Sequence, residues 1–240
     1  DLLAVQQTRC LVVGGGALGN EVLKDLLLSG FEDISIVDMD HVVESNLNRC
    51  VFFREEDARN RRMKAEVLAE RGVDLFPGAR LTAHSCTVEE LPSLQGYGVI
   101  FGCLDNLKAR VHVNSHSYRH VVPFIDGGTE GMSGRVQVVL PPHGPCLQCG
   151  MNKSHFKVLE KRFSCSGRET SFFEPKRAAE ITTTSIIAAM QVREALKIVS
   201  GQGQRCIHHV AHYNGLSGKC EELELTIDPS CPMHEMSRQQ

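Results

Sequence analysis

The sequence predicts an α/β domain, a doubly wound and mostly parallel sheet with a C-terminal β extension. Strand-like and helix-period segments alternate through residues 1–140, as βαβ units do, and strand-like runs without helices between them close the chain. The buried run 9–13 also passes directly into Gly14-Gly15-Gly16-Ala17-Leu18-Gly19, the arrangement in which a parallel sheet begins.

Arg9-Cys10-Leu11-Val12-Val13 reads as a buried strand. The helix after it spans 20–28, with Val22, Leu23, Leu26 and Leu27 as its apolar stripe and Gly30 as its stop. A second strand, 34–37, ends in Asp38-Met39-Asp40. A helix near 63–71, a strand near 81–84 and another near 97–101 follow, the last leading to Gly102-Cys103-Leu104-Asp105. A helix near 106–120 precedes strands at 123–126 and 135–140. Residues 141–150 are turn-rich, and 152–180 form a long polar connection of the kind that is often functional. The helix at 183–200 carries Ile186, Ile187, Ala189, Met190, Val192, Leu196, Ile198 and Val199 nearly all round, which predicts burial in a core or a subunit interface. Strand-like runs at 207–213 and 220–227 end the pattern. The chain thus divides into a nucleotide-binding part, 1–140, and a part 141–240 with a crossover loop (150–182), that helix and the last strands, within one continuous domain.

At 240 residues, with 42% hydrophobic and 23% charged, the chain can bury a substantial core. Its net charge of −3, without long blocks of one sign, gives no reason to expect a nucleic-acid partner. No apolar run reaches the roughly 18 residues of a membrane span and no signal peptide is visible, so a cytoplasmic protein without a membrane partner is expected. The chain starts at Asp1 rather than at Met, as a piece of a longer protein would. Ten cysteines in a chain of this patterning favour metal sites and free thiols over a disulfide framework. Cys10, inside a strand, and Cys103, just after one, are core candidates.

Gly14, Gly16 and Gly19 fit G-x-G-x-x-G in a Rossmann-like strand–turn–helix context. Such glycines allow a tight turn and close approach of backbone to phosphate, and the helix start offers N–H groups. Asp38 stands at the end of the second strand, where a carboxylate accepts ribose hydroxyls. The loop alone does not separate NAD from ATP. The residues after it do: Asp40, Asn46, Arg49 and Lys64 gather acids, an amide and cations, as a nucleotidyl-transfer site must to neutralise a triphosphate and hold magnesium. Asp105 follows the 97–101 strand and should open onto the same edge of the sheet.

G-G-G-A-L-G, D-M-D-x-V-x-x-S-N-L-N-R, M-K-A-E and C-L-D-N occur in that order, and essentially the whole chain resembles the adenylation domain of the ubiquitin-activating enzyme superfamily. That group includes bacterial activators of thiamin and molybdopterin sulfur-carrier proteins. The resemblance implies ATP and magnesium as cofactors, and as substrate a small ubiquitin-like or sulfur-carrier protein ending in Gly-Gly, whose terminal carboxylate attacks the α-phosphate. It implies that Asp38 holds the ribose, that Asp40 and Asp105 act near magnesium and the phosphates, and that Asn46, Arg49 and Lys64 bind and neutralise phosphate. Cys50 stands where a glutamine usually follows the motif arginine, and Arg59-Asn60-Arg61-Arg62 lengthens the approach to Lys64. Many members supply an arginine from near the partner subunit's N-terminus, and this chain offers no counterpart.

Cys146-Leu147-Gln148-Cys149 and Cys231-Pro232-Met233-His234 are two C-x-x-[CH] clips, and two such clips complete a closed tetrahedral zinc site. The resembled family carries two clips in these places, usually with four cysteines, so His234 is the departure. Four protein ligands make the expected role structural.

Cys165 lies in the 152–180 connection between Lys161, Arg162 and Arg168, and an exposed, cation-flanked thiol is the reactive kind. The resemblance places a transfer cysteine just before the 183–200 helix, so Cys165 is the expected thioester nucleophile. Cys50, Cys86, Cys206 and Cys220 are set aside as motif-tied or strand-associated, and His208, His209 and His212 receive no role. The connection is too short for a separate cysteine domain, which suggests a compact homodimeric activator, or the adenylation half of a longer one, serving a conjugating enzyme. Three rivals stand. An NAD-dependent oxidoreductase accounts for the loop and Asp38 alone. A non-catalytic partner subunit should have lost some of Asp40, Arg49, Lys64 and Asp105. An enzyme that only adenylates another carboxylate would need neither Cys165 nor the clips.

Overall fold

A computed structural model describes residues 2–151 and 180–235. The parallel strands are β1 (Arg9–Val13), β2 (Asp33–Val37), β3 (Arg80–His84), β4 (Val99–Gly102) and β5 (Phe124–Glu130). Antiparallel β6 (Ser133–Val139), β7 (Val210–Asn214) and β8 (Lys219–Leu223) extend them, giving the order β3-β2-β1-β4-β5-β6-β7-β8. The helices are α1 (Leu2–Gln7), α2 (Ala17–Leu28), α3 (Glu55–Arg59), α4 (Lys64–Leu75), α5 (Leu107–His120), α6 (Ile181–Val199) and α7 (Pro232–Glu235). Among the described residues no helix is long and apolar enough to cross a membrane.

The apolar runs of β1, β2 and β4 follow from burial on both faces. Cys10, Val12, Ile34, Ile36 and Phe101 join one core with Leu23, Leu26, Leu68 and Ile187 of α2, α4 and α6. Leu11, Val13, Ile100 and Phe124 join the other with Val113 of α5. The helices change faces where the strand order reverses, between β1 and β4, and a crevice outside the carboxyl ends of the strands forms at such a reversal. Helix α6 meets its expectation of burial on one side: Ile187, Ala188, Val192 and Ala195 are in the core, while Ile186 stays exposed.

β5 runs on to Glu130, past the expected end at Asp126, and pairs with β6 through Gly128↔Arg135 and Asp126↔Gln137. Gly127 and Gly128 lie within the strand and make room for their neighbours. A Cβ at Gly127 would lie 2.4 Å from Gln191 Oε1 and one at Gly128 3.2 Å from Arg110 Nη2. The last two strands are shorter than expected, starting at Val210 and ending at Leu223. Helix α3 had no apolar period to announce it. It is held by Asp57, fully buried, which accepts from Arg54 N at 2.8 Å and pairs with Arg71 at 2.8 Å and Arg62 at 3.3 Å.

Candidate nucleotide edge and metal clip

The glycine loop joins β1 to α2, and two of its glycines are sterically required. Gly14 has φ +100°, and a Cβ there would sit 2.5 Å from the Cys103 carbonyl oxygen. A Cβ at Gly19 would sit 1.9 Å from Gly14 O. At Gly16, the residue before α2, a Cβ would meet nothing within 4 Å, so this is where the loop lies open. Asn20 sets the loop's shape: fully buried, it donates from Nδ2 to Gly15 O and Gly16 O, both at 3.0 Å, and accepts from Phe52 N at 3.1 Å. Sequence reasoning missed Asn20, whose only trace was an amide in the first turn of a helix after glycines.

Asp38, at the end of β2, accepts from Gly15 N at 2.6 Å and from Asp40 N at 2.8 Å. Burial raises its carboxyl above the usual aspartate value, opposed by the charge of Lys64 and by those two amides. Lys64 opens α4, its Nζ 2.9 Å from Asp40 Oδ2 and its own N–H donating to Asp40 O at 2.9 Å. The lengthened approach at 59–62 is absorbed before it. Arg61 takes φ +49°, Val42 N donates to Arg62 O at 2.8 Å, and His41 bridges to Met63. Asn46, buried, accepts from Val43 N at 3.1 Å and closes the 3-10 turn Glu44–Asn46. Arg49 folds onto its own turn, donating to Ser45 O and to Asn48 Oδ1 at 3.0 Å. Cys50 is buried, and burial pushes its thiol up to about 11 against the charges of Arg49 and Lys64, so it packs rather than reacts.

The structure therefore brings Asp38, Asp40 and Lys64 together. Asp105 is exposed on the turn after β4, where Cys103 N donates to Val13 O at 2.8 Å and holds that turn against the glycine loop. Asp105 lines a cavity of about 320 Å³ whose walls include Arg110, Gly128, Glu130, Arg135 and His212, but not Asp38. Sequence reasoning also missed a cluster behind that wall: fully buried Asp126 pairs with Arg110 at 2.7 Å and Arg135 at 3.2 Å.

The two clips converge. Ligand atoms of Cys146, Cys149, Cys231 and His234 all lie within 4.8 Å of one another, with Cys146 Sγ 3.8 Å from Cys149 Sγ and 3.6 Å from Cys231 Sγ. Sulfurs about 2.3 Å from a tetrahedral zinc stand roughly 3.8 Å apart, so this donor set fits that ion's geometry. Each clip is a tight turn, with Cys149 N donating to Cys146 O at 3.1 Å and His234 N to Cys231 O at 3.0 Å. Helix α5 backs both, through Asn114 accepting from Leu147 N at 3.0 Å and Tyr118 meeting the His234 ring edge-on at 5.2 Å. The group could hold a metal ion.

Burial pushes the Cys206 thiol up to about 12 and raises those of Cys10 and Cys103 as well. Cys165 lies outside the described residues.

A parallel sheet whose reversal point carries a glycine loop, a strand-end acid and an acid–lysine pair defines a nucleotide-binding α/β protein, here with a four-ligand metal clip. The chain belongs to the ThiF family, whose sequence profile matches residues 1–233. It is 37% identical over 164 residues to the NEDD8-activating enzyme E1 catalytic subunit of Caenorhabditis elegans, covering 62% of this chain and 38% of that one. It is 35% identical over 150 residues to a ubiquitin-activating enzyme E1-like protein of Saccharomyces cerevisiae, covering 60% of this chain and 23% of that one. The chain thus spans well under half the length of these relatives. The crystal structure of E. coli MccB with ATP shares the fold, with a TM-score of 0.77 at 18% identity, over 97% of this chain and 68% of that one.

Proposed function

We propose that this chain is an ATP- and magnesium-dependent adenylyltransferase. It activates the C-terminal carboxylate of a ubiquitin-like or sulfur-carrier protein ending in Gly-Gly and then takes the acyl group on Cys165. The observation that carries this is the Lys64–Asp40 pair, 2.9 Å apart, placed beside the glycine loop by the amides that grip Asp38. A nicotinamide enzyme gains little from a cation and a second acid there, whereas transfer at a triphosphate needs both.

In this reading Gly14, Gly16 and Gly19 admit the nucleotide to the start of α2, and ionised Asp38 accepts the ribose hydroxyls. Asn46, Arg49 and Lys64 neutralise phosphate, which asks Arg49 to turn away from Ser45 O. Magnesium on the side of Asp40 and Asp105 would supply the charge that polarises the phosphates. A carboxylate oxygen of the terminal glycine attacks the α-phosphorus. The bond from that phosphorus to the bridging oxygen breaks, and pyrophosphate leaves with the electron pair. The Cys165 thiol then loses its proton to water, its sulfur attacks the acyl carbon, and AMP departs as the C–O bond breaks. The raised thiols of Cys10, Cys50, Cys103 and Cys206 support leaving that step to Cys165. Zinc on Cys146, Cys149, Cys231 and His234 would cross-brace the tail and leave no position open for chemistry.

The names of the relatives favour a NEDD8- or ubiquitin-type modifier. Assembly as a homodimer or with a second subunit, and transfer to a conjugating enzyme, are further parts of the proposal. A cytoplasmic setting belongs to the same proposal. The test is incubation with ATP, Mg2+ and NEDD8 or ubiquitin, read on a non-reducing gel and by AMP release. A thiol-sensitive adduct that persists in Cys165→Ala refutes that nucleophile. Protection from heat by NAD but not by ATP–Mg2+ refutes adenylation itself.

A further inference from the structure

We propose that Arg110 is the positioning residue of the Asp105 turn, and that it thereby sets how strongly magnesium is linked to ATP binding. The inference rests on reading Asp105 as an acid on the magnesium side.

Arg110 sits on the first turn of α5, 9% exposed, and its whole guanidinium is committed. Nε donates to Leu104 O at 3.1 Å and Nη2 donates to the same carbonyl, so two of its donors converge on the residue immediately before Asp105. Nη2 also reaches Gly127 O at 3.0 Å, and Nη1 meets Asp126 Oδ2 at 2.7 Å. Arg135 takes the same oxygen at 3.2 Å. The backbone is shaped for this cluster. A Cβ at Gly128 would press on both guanidiniums, at 3.2 to 3.4 Å, and one at Gly102 would fall 2.7 Å from Asp126 Oδ1. On its other side the turn is fixed by Asn106, whose Oδ1 accepts from Ala109 N at 2.8 Å. Asp105 is thus an exposed carboxylate on a turn clamped at both flanks. A ligand's partner of this kind orients the ligand and tunes metal affinity.

Calorimetry of ATP binding, once with EDTA and once with Mg2+, separates this role from general support of the fold. Asp105→Asn should lose the tightening that Mg2+ confers. Arg110→Lys keeps a charge for Asp126 but loses the fork, and should lose roughly tenfold of that tightening. Its affinity in EDTA should stay unchanged. If Arg110 acts through Asp105, the double variant binds no more weakly than Asp105→Asn alone. Equal losses in EDTA and Mg2+, or additive losses in the double variant, overturn the proposal. Asn106→Ala loosens the same turn from a half-buried cap and leaves the Asp126 cluster intact, so it decides the matter if Arg110→Lys does not fold. Full magnesium-linked tightening in Asn106→Ala overturns the proposal. If Asp105→Asn itself keeps the tightening, the reading of Asp105 fails. If Asp105→Asn loses it while Arg110→Lys keeps it, the inference alone fails.

Discussion

The metal clip and the nucleotide edge sit on one sheet but treat their polar groups in opposite ways. In the clip, Cys146, Cys231 and His234 are buried and point at one another. At the edge, Asp40 keeps 58% of its side chain exposed while pairing with Lys64, and Asp105 is exposed on a turn whose backbone is held. Two fully buried aspartates differ from each other in another way. Asp57 spends both carboxylate oxygens on Arg54 N, Arg62 and Arg71. Asp126 holds both its arginines on one oxygen, and its Oδ1 has no partner among the described residues. The clip residues face one another, whereas Asp40 and Asp105 are presented to solvent on a braced backbone.

The strongest way to break this comparison is at the clip. Cys231→Ser should abolish bound zinc by elemental analysis and cost several kcal/mol, on the order of a structural metal's contribution, with a large fall in Tm. Full stability with no metal would mean that the clip is not structural. Next comes Lys64→Ala, expected to slow adenylation roughly 100- to 1,000-fold, the scale of losing one preorganised charge. Its Tm should hardly move, because a pair whose acid is mostly exposed is worth at most about 1 kcal/mol before solvent screening reduces it. A large fall in Tm with normal turnover would erase the distinction between the two regions.

Asp38 gives a smaller, pH-dependent effect. Its carboxyl is raised from 3.8 by burial, so the folded chain retains a proton that the unfolded chain has already lost. The stability contributed by this group is present at low pH and declines as pH rises from the ordinary aspartate value through the raised one. If Asp38 holds the ribose as proposed, ATP affinity needs the ionised form and should rise over that window. In Asp38→Asn both slopes should flatten, as seen by denaturant titration and calorimetry across acidic pH. Slopes unchanged by the substitution would assign them to another group. The mildest test lies away from both regions. Val121, exposed at the end of α5, takes φ +53°, and Val121→Gly should gain about 1 kcal/mol in urea unfolding while leaving zinc content and ATP affinity as they were.

Strands β1, β2 and β4 were legible because strands buried on both faces are largely apolar, and because Gly14 and Gly19 cannot be other residues where they stand. Asp38, Asp40 and Lys64 were legible for a related reason, since their strand ends and helix start are set by local pattern. Arg110, Asp126 and Arg135 were not. Each reads alone as an ordinary charge, and only the β5–β6 pairing and the first turn of α5 bring them together. The role of Gly127 and Gly128 was hidden for the same cause: their lack of side chain serves Gln191 and the guanidiniums, which lie elsewhere in the sequence.

Asn20 carries a thermodynamic consequence. One buried amide ties the glycine loop to the Phe52 backbone just beyond the Asn46–Arg49 segment, so the two stretches share a single conformational freedom. A nucleotide that engages the first has only the Arg49 side chain left to reorder in the second, and the entropy of assembling the two backbones is lost during folding rather than on binding. With Asn20 replaced, ATP would make the same contacts at nearly the same enthalpy, and its weaker affinity would appear almost wholly as a less favourable entropy.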